Sequence, residues 1–284
     1  MGAAEQLKGP VVPIPDRKRM PTGVEHLEWM ESDDGSLTLW DCRLDESFHG
    51  GCGAVTESIV VYVLNGRVLD RLAVRQRARV FEVGLGTGTN FLLTAALAEL
   101  FESPLNYSVV EPHLLEPSVI SQLSLVERLR DERAREFSIA SNVSAELFFT
   151  EEYLAALQRV TRRFEQLYRA DWSEMARLQL GDHVQLTVLP VRLEQLVDST
   201  VASDHRGQCD CVYFDAFSPK TSPELWTRSV FIAMRSFLAA GGCLVTYCVK
   251  GSVRREMQAA GFELAKLPGP HAGKREVLRG SSAD

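Results

Sequence analysis

Arg79-Val-Phe-Glu-Val-Gly-Leu-Gly-Thr-Gly-Thr-Asn-Phe91 decides the fold. Arg79 to Val83 is short, largely apolar and bounded by glycine, which predicts a buried strand. Glycines at 84, 86 and 88 predict a tight turn, and the apolar run from about Asn90 to Phe101 predicts a helix. Tyr107 to Glu111 predicts a second strand. Strand, glycine turn, helix and strand together make a βαβ unit, with parallel strands and a right-handed crossover.

Working outward, the alternation resumes downstream. Val184 to Leu189, Cys209 to Phe214 and Cys243 to Cys248 predict strands, and Trp226 to Leu238 predicts a helix closed by Gly241-Gly242. Ser252 to Ala260 predicts a helix ending at Gly261, and Phe262 to Lys266 with Arg275 to Arg279 a terminal hairpin. Residues 116–182 break the rhythm. They are charged and helix-periodic, yet Leu147, Phe148, Phe149, Leu154, Leu157, Phe164 and Leu167 need burial, so an inserted helical layer on the sheet is expected. Upstream, Leu37 to Asp41 predicts a strand and His49 to Gly53 a loop. Thr56 to Leu64 fits either a strand or a helix. The expected organisation is a flexible arm (1–22), an N-terminal extension (23–72) and an α/β domain (73–284).

Bulk properties narrow the class. The 284 residues are 45% hydrophobic and 24% charged, ordinary for a globular protein with a sizeable core. A net charge of −7 argues against coating nucleic acid through bulk charge, so such a partner needs a local basic patch. The six cysteines contain no C-x-x-C pair, which argues against a disulfide scaffold and a structural zinc site. Neither a signal peptide nor a membrane span is legible, so a cytoplasmic protein with no membrane partner and no metal is expected.

Two sites carry chemistry. The glycine loop sits between strand and helix, where bare backbone and helix-start N–H groups receive an anionic ligand. Its spacing is G-x-G-x-G with Glu82 two residues ahead, which resembles motif I of S-adenosylmethionine-dependent methyltransferases more than a dinucleotide fingerprint. Glu111, ending the next strand, would accept hydrogen bonds from a ribose diol. Glu82, Gly84, Gly86, Gly88, Asn90 and Glu111 are the expected cofactor residues; another nucleotide, or no ligand, remains open at this point. The second site is Asp215-Ala-Phe-Ser-Pro-Lys220 at a strand's carboxyl end, where ligands gather in such sheets. Asp215 suits an amine nucleophile, orienting it and accepting its proton. Phe217 would stack on a flat substrate. His49 and the paired cysteines Cys209 and Cys211 read as structural.

The block Asp215-Ala-Phe-Ser-Pro-Lys-Thr-Ser-Pro-Glu-Leu-Trp-Thr227 resembles the methyltransferase domain of the bifunctional tRNA 5-methylaminomethyl-2-thiouridine biosynthesis proteins (MnmC). So do Glu82 to Phe91, Gly241-Gly242 through Thr246-Tyr247, Val253-Arg254-Arg255, Ala260-Gly261-Phe262 and Gly273-Lys274-Arg275-Glu276. Upstream, Asp45 to His49, Gly53-Ala54 and Glu57-Ser58 look like that family's N-terminal piece. The resemblance implies a Rossmann-like fold with a seven-stranded, mostly parallel sheet and S-adenosyl-L-methionine as cofactor. It implies methyl transfer to the aminomethyl nitrogen of the wobble uridine, with the tRNA anticodon loop as partner. The FAD oxidase that makes this amine in the bifunctional proteins is not encoded before Asp284, so a stand-alone form served by a separate amine-generating enzyme is expected. Lys250, Arg254, Arg255, Lys274 and Arg275 are the expected RNA contacts. One departure stands out: the family's Gly-Asp after the third strand is replaced by Leu189-Pro-Val-Arg-Leu-Glu194, where Glu194 or backbone groups would meet the adenine. Two other readings remain: a methyltransferase of small amines, which the acidic charge favours, and a non-catalytic binding relative.

Overall fold

A computed structural model describes residues 14–168, 174–197 and 201–282. Four strands come first: β1 (Arg19–Pro21), β2 (Leu27–Glu31), β3 (Leu37–Asp41) and β4 (Glu46–Ser47), a small antiparallel sheet in sequence order. Residues 14–22 are therefore built into structure, through a 3-10 turn at Ile14–Asp16 and β1, where a flexible arm is expected. The expected arm before residue 14 lies outside the described residues. Helix α1 (Ala54–Glu57) runs directly into a π-helical segment, Ser58–Leu64, and α2 (Val68–Ala73) follows. The run whose sequence fits strand or helix is thus helical. Its side chains are buried all round, so no periodicity marks it.

The α/β unit follows as β5 (Ala78–Val83), α3 (Thr89–Leu100) and β6 (Leu105–Val110). The insertion holds α4 (Pro117–Ile120), α5 (Leu125–Leu129), α6 (Glu132–Ser141), a 3-10 segment at Val143–Phe149, and α7 (Glu151–Leu167). It ends in a strand, β7 (Ala176–Gln179). Then come β8 (Val184–Leu189), α8 (Leu193–Val197), α9 (Val201–His205), β9 (Cys209–Phe214), α10 (Arg228–Phe237), β10 (Leu238–Thr246), α11 (Gly251–Ala259), β11 (Phe262–Pro268) and β12 (Glu276–Ser282).

The main sheet has eight strands rather than seven, in the order β11-β12-β10-β9-β5-β6-β8-β7. The inner five are parallel, and β12, β11 and β7 are antiparallel. The extra strand is β7, which the insertion contributes to the sheet edge beside β8. Gly241-Gly242 also differs from expectation. It lies inside β10, at a register irregularity between Leu238 and Cys243, and not at a helix end. The positive φ of Gly241 suits a bulge as well as a helix stop, so sequence does not separate the two.

Each face of the sheet has its own core. Along β9, Cys211 and Tyr213 face one core while Val212 and Phe214 face the other, the two-residue alternation of a strand. The first core joins α3, the insertion and the N-terminal extension, whose Leu27, Trp29, Leu37 and Leu39 pack in the same cluster as Val80 and Phe91. Helix α3 is apolar on nearly every side because it is covered twice. Phe91 meets Tyr107 of the sheet at 5.0 Å between ring centroids, and the Tyr153 hydroxyl of α7 donates to the Leu93 carbonyl at 2.9 Å. The insertion therefore packs on α3 and reaches the sheet at its edge. Asp34 ties these pieces together: fully buried, it accepts from Ser32, from the Ser36 amide and hydroxyl, and from the Thr56 amide and hydroxyl.

Candidate active site

The carboxyl ends of β5, β6, β8 and β9 open onto a cleft of about 810 Å³. Its floor is the glycine loop. Gly84 has φ +90°, and a Cβ there would stand 2.7 Å from the backbone carbonyl oxygen of Asp215. Only glycine lets the two loops touch in this way. Gly86, with φ +51°, faces Phe48 of the N-terminal extension, whose ring would lie 3.2 Å from an added Cβ. The extension thus walls one side of the cleft. Gly84→Ala is expected to weaken cofactor binding at least about tenfold, through φ strain and the clash with Asp215. Calorimetric titration with S-adenosyl-L-methionine checks this; an affinity within about twofold of wild type would show that the loop geometry is not required.

Glu111 stands at the far side of the loop and lines the cleft. One oxygen accepts from the Leu85 amide at 3.1 Å and the other from the His113 amide at 2.8 Å. These bonds fix the carboxylate plane, and each oxygen keeps acceptor capacity for a diol. Burial raises its pKa, while the amide bonds from His113, Leu85 and Gly86 hold it down. Arg192, Leu193 and Glu194 line the same end of the cleft. Glu194 lies in the first turn of α8, where the family's acidic residue is missing from the sequence.

Asp215 lines the other end with Phe217. Its Oδ1 accepts from the Tyr62 hydroxyl at 2.5 Å, and its Oδ2 from Asn90 Nδ2 at 2.8 Å. The same Asn90 nitrogen donates to Glu82 Oε1 at 2.9 Å, so one amide bridges two carboxylates. Burial, then the neighbouring Glu57, push the Asp215 pKa up to about 7, against the pull of Tyr62, Asn90 and Lys274. Burial likewise lifts Glu82 well above the ordinary range. Phe217 meets the Phe48 ring edge-on, with centroids 5.1 Å apart. The loop after Asp215 is pinned at several points. Trp226 Nε1 donates to the Phe217 carbonyl at 2.8 Å and the Tyr247 hydroxyl to the Ala216 carbonyl at 3.0 Å. Glu46 of β4 accepts from the Ser218 amide and hydroxyl and from the Thr221 hydroxyl.

The structure sorts the expected residues. Gly84, Gly86 and Glu111 line the cleft, as do Asp215 and Phe217. Glu82, Gly88 and Asn90 stand behind it: Glu82 is fully buried, Gly88 faces Phe164, and Asn90 serves the carboxylates rather than the cleft. Lys250, Arg255 and Arg275 are exposed and Arg254 half-buried, with none of these four in an ion pair among the described residues. Lys274 is exposed too, beside the cleft's inner groups. Its Nζ lies 3.8 Å over the Tyr247 ring and within electrostatic reach of Asp215 and Glu57. His49 is buried at the cleft wall, with Nδ1 3.1 Å from Thr38 Oγ1 and burial taking its pKa down to about 4. Tyr62 is the site residue that sequence reading misses, since no local pattern marks it; Glu46 and Glu57 fall in the stretches that resemble the family's N-terminal piece, but nothing in the sequence links them to Asp215 or its loop. Among the described residues no three His, Cys, Asp or Glu side chains group to hold a metal, and no helix is long and apolar enough to cross a membrane.

Comparison with known proteins decides what the cleft takes. Residues 155–283, which include Asp215 and its loop, match a family described as S-adenosyl-L-methionine-dependent methyltransferase. The chain is an MnmC-like S-adenosyl-L-methionine-dependent methyltransferase. It is 28% identical over 267 residues to the tRNA 5-methylaminomethyl-2-thiouridine biosynthesis bifunctional protein MnmC of Aromatoleum aromaticum, covering 89% of this chain and 35% of that protein. It is 30% identical over 259 residues to the MnmC of Azoarcus sp. (strain BH72), covering 88% of this chain and 34% of that protein. The methyltransferase thus spans about a third of the length of these curated relatives. The crystal structure of MNMC2 from Aquifex Aeolicus shares the fold, with a TM-score of 0.64 at 23% identity, covering 93% of this chain and 72% of that one.

The residues present fit the cofactor of this methyltransferase. The backbone at Gly86, which carries no Cβ, faces the cleft; the Glu111 carboxylate is held by two amides with acceptor capacity left for a diol; and the volume exceeds what a single nucleoside fills.

Proposed function

We propose that this methyltransferase methylates the primary amine of a 5-aminomethyl group on the wobble uridine of tRNA, giving 5-methylaminomethyluridine, with or without 2-thiolation. The observation that carries the reading is Asp215: a carboxylate in the cleft, fixed at both oxygens and poised near neutral pH. Its position, one strand over from the glycine loop, suits a group that receives an amine proton. The names of the relatives support the tRNA acceptor, and so does the resemblance of the Asp215 to Thr227 block to that family's methyltransferase domain.

Bound in the cleft, S-adenosyl-L-methionine supplies a methyl group on a positively charged sulfur, open to attack by a neutral amine. Asp215 orients that amine through a hydrogen bond and accepts its proton as the new N–C bond forms. Holding the amine in place is the larger service, since positioning supplies roughly 7–11 kcal/mol in favourable cases. Phe217 and Phe48 offer aromatic surface to a base that has left its stack, worth about 1–3 kcal/mol per base. Lys250, Arg254, Arg255, Lys274 and Arg275 supply positive charge around the same end of the sheet, since α11 and the β11–β12 loop follow strand carboxyl ends. The anticodon loop is the partner in this reading, and a separate amine-forming reaction on the same uridine must precede it.

The test is transfer of labelled methyl from S-adenosyl-L-methionine to tRNA carrying aminomethyluridine, beside unmodified tRNA and free polyamines. Label in the aminomethyl tRNA alone is the expected result. Label in polyamines instead would establish the small-amine reading that the net charge of −7 favours. No label in any acceptor, with cofactor binding intact, would establish a non-catalytic binding protein.

A further inference from the structure

The π-helical segment Ser58–Leu64 is unusual, because π turns carry a conformational cost and persist mostly where a function uses them. Its seven residues are buried except at the last, and its Tyr62 hydroxyl reaches the cleft-lining Asp215. Tyr62 is fully buried, packed against the Tyr213 ring at 5.4 Å between centroids. That hydroxyl reaches across 153 positions of sequence to Asp215 Oδ1 at 2.5 Å. With Asn90 on Oδ2, each oxygen of the cleft-lining carboxylate has one donor from residues outside the lining and keeps further acceptor capacity.

We infer that Tyr62 is a positioning residue for methyl transfer: the π turn delivers its hydroxyl to Asp215 Oδ1, and this bond fixes the carboxylate's orientation and favours its charged, proton-accepting form. The inference rests on the reading of Asp215 as the group that accepts the amine proton.

The surroundings of Asp215 make one donated bond matter. Glu57 of α1 faces it as a like charge that favours the neutral acid, as burial does. Against them stand Tyr62 from the π turn, Asn90 from α3 and Lys274 from the β11–β12 loop, each favouring the carboxylate. Glu82 of β5 shares Asn90 with it, and Tyr247 after β10 lies near enough to feel its charge. Burial and the adjacent carboxylates keep the Tyr62 hydroxyl protonated far into the alkaline range, so it donates at every working pH. Glu57 and Tyr62 are five residues apart, which a π turn brings to one side and an α turn would not.

Tyr62→Phe tests this, because it removes only the hydroxyl and keeps the ring against Tyr213. Two readouts are taken. The first is the acid limb of the pH–rate profile for kcat. It is expected to move up by about one pH unit, so that the rate falls about fivefold at pH 7 and the deficit narrows at pH 9. KM for S-adenosyl-L-methionine stays within about twofold. The second is direct titration of Asp215 by carboxyl carbon NMR in the cofactor-loaded protein without acceptor. This follows the same shift and needs no knowledge of the substrate. An upward shift in the NMR titration with no methyl transfer by wild type would sink the acceptor reading while supporting the role of Tyr62. An unchanged titration and an unmoved acid limb in the variant, even with a lowered melting temperature, would overturn the inference and leave Tyr62 as packing alone.

Discussion

Asp215→Asn is expected to cut methyl transfer by about two to four orders of magnitude, the range for loss of a positioned proton acceptor. Binding of S-adenosyl-L-methionine should change by no more than about threefold, because the glycine loop and Glu111 are untouched. The asparagine keeps an oxygen for the Tyr62 hydroxyl and gives up the bond from Asn90, which retains Glu82, so the substitution removes the base at nearly constant side-chain volume. Single-turnover methyl transfer beside calorimetric binding measures both effects. A rate within tenfold of wild type would remove Asp215 from the chemistry. The pH behaviour gives a second check. The Asp215 pKa is about 7 in the folded protein, above the 3.8 of an unburied aspartate. A raised folded pKa means that the folded state binds the proton more tightly. The group's contribution to stability is therefore fully present below pH 4 and is lost as pH rises through 7. The slope of melting temperature against pH between 5 and 8 should be flatter in Asp215→Asn than in wild type. The cleft thus carries a carboxylate that works best in the pH range where it stabilises the fold least.

Asp34→Ala is expected to be the most damaging single change to the fold, lowering stability by about 4 kcal/mol and the melting temperature by roughly 10 °C. The side chain is fully buried and receives five donors. Alanine leaves them facing an empty space, and each buried unpaired donor costs about 1–3 kcal/mol before relaxation. The loss spreads because the donors belong to different pieces. Ser32 and Ser36 close the β2–β3 hairpin, Thr56 lies in α1, and the Thr56 hydroxyl lies 3.2 Å from that of Ser138 in α6. Helix α1 leads into the π turn that carries Tyr62, so the variant should also lose methyl transfer before it unfolds globally. Asp34→Asn keeps acceptor oxygen and should cost about half as much. Denaturant and thermal unfolding of the three proteins measure this; a loss under about 1 kcal/mol in Asp34→Ala would show that the network is dispensable.

Several parts of the molecule were legible because their signals are local. A short, largely apolar strand ahead of glycines at 84, 86 and 88 has one physical outcome, a strand entering a turn that only glycine allows. Val184–Leu189 and Cys209–Phe214 were legible to the residue, since each starts with apolar–polar alternation and closes on adjacent apolar residues. Other parts carried an ambiguous signal. A helix buried on every side, like Ser58–Leu64, shows no amphipathic period. Gly241 with positive φ ends helices and makes bulges alike, and here the neighbouring strands choose the bulge. The eighth strand was hidden because β7 alternates between half-buried and exposed positions and gains its place by pairing with β8.

The same division runs through the site. By itself the sequence determined the βαβ frame, the glycine loop, Glu111 at the end of the second strand and Asp215 at the end of a later one, since each depends on a few adjacent residues and on the rule that ligands gather at strand carboxyl ends. Tertiary structure decided the roles. It drew Asn90 and Glu82 behind the cleft, stacked Lys274 on Tyr247, and brought Tyr62 and Glu46 of the extension to the Asp215 loop. These contacts link residues as far as 175 positions apart, and no period or spacing encodes them. They arise because a buried carboxylate must find its donors wherever the packed chain places them.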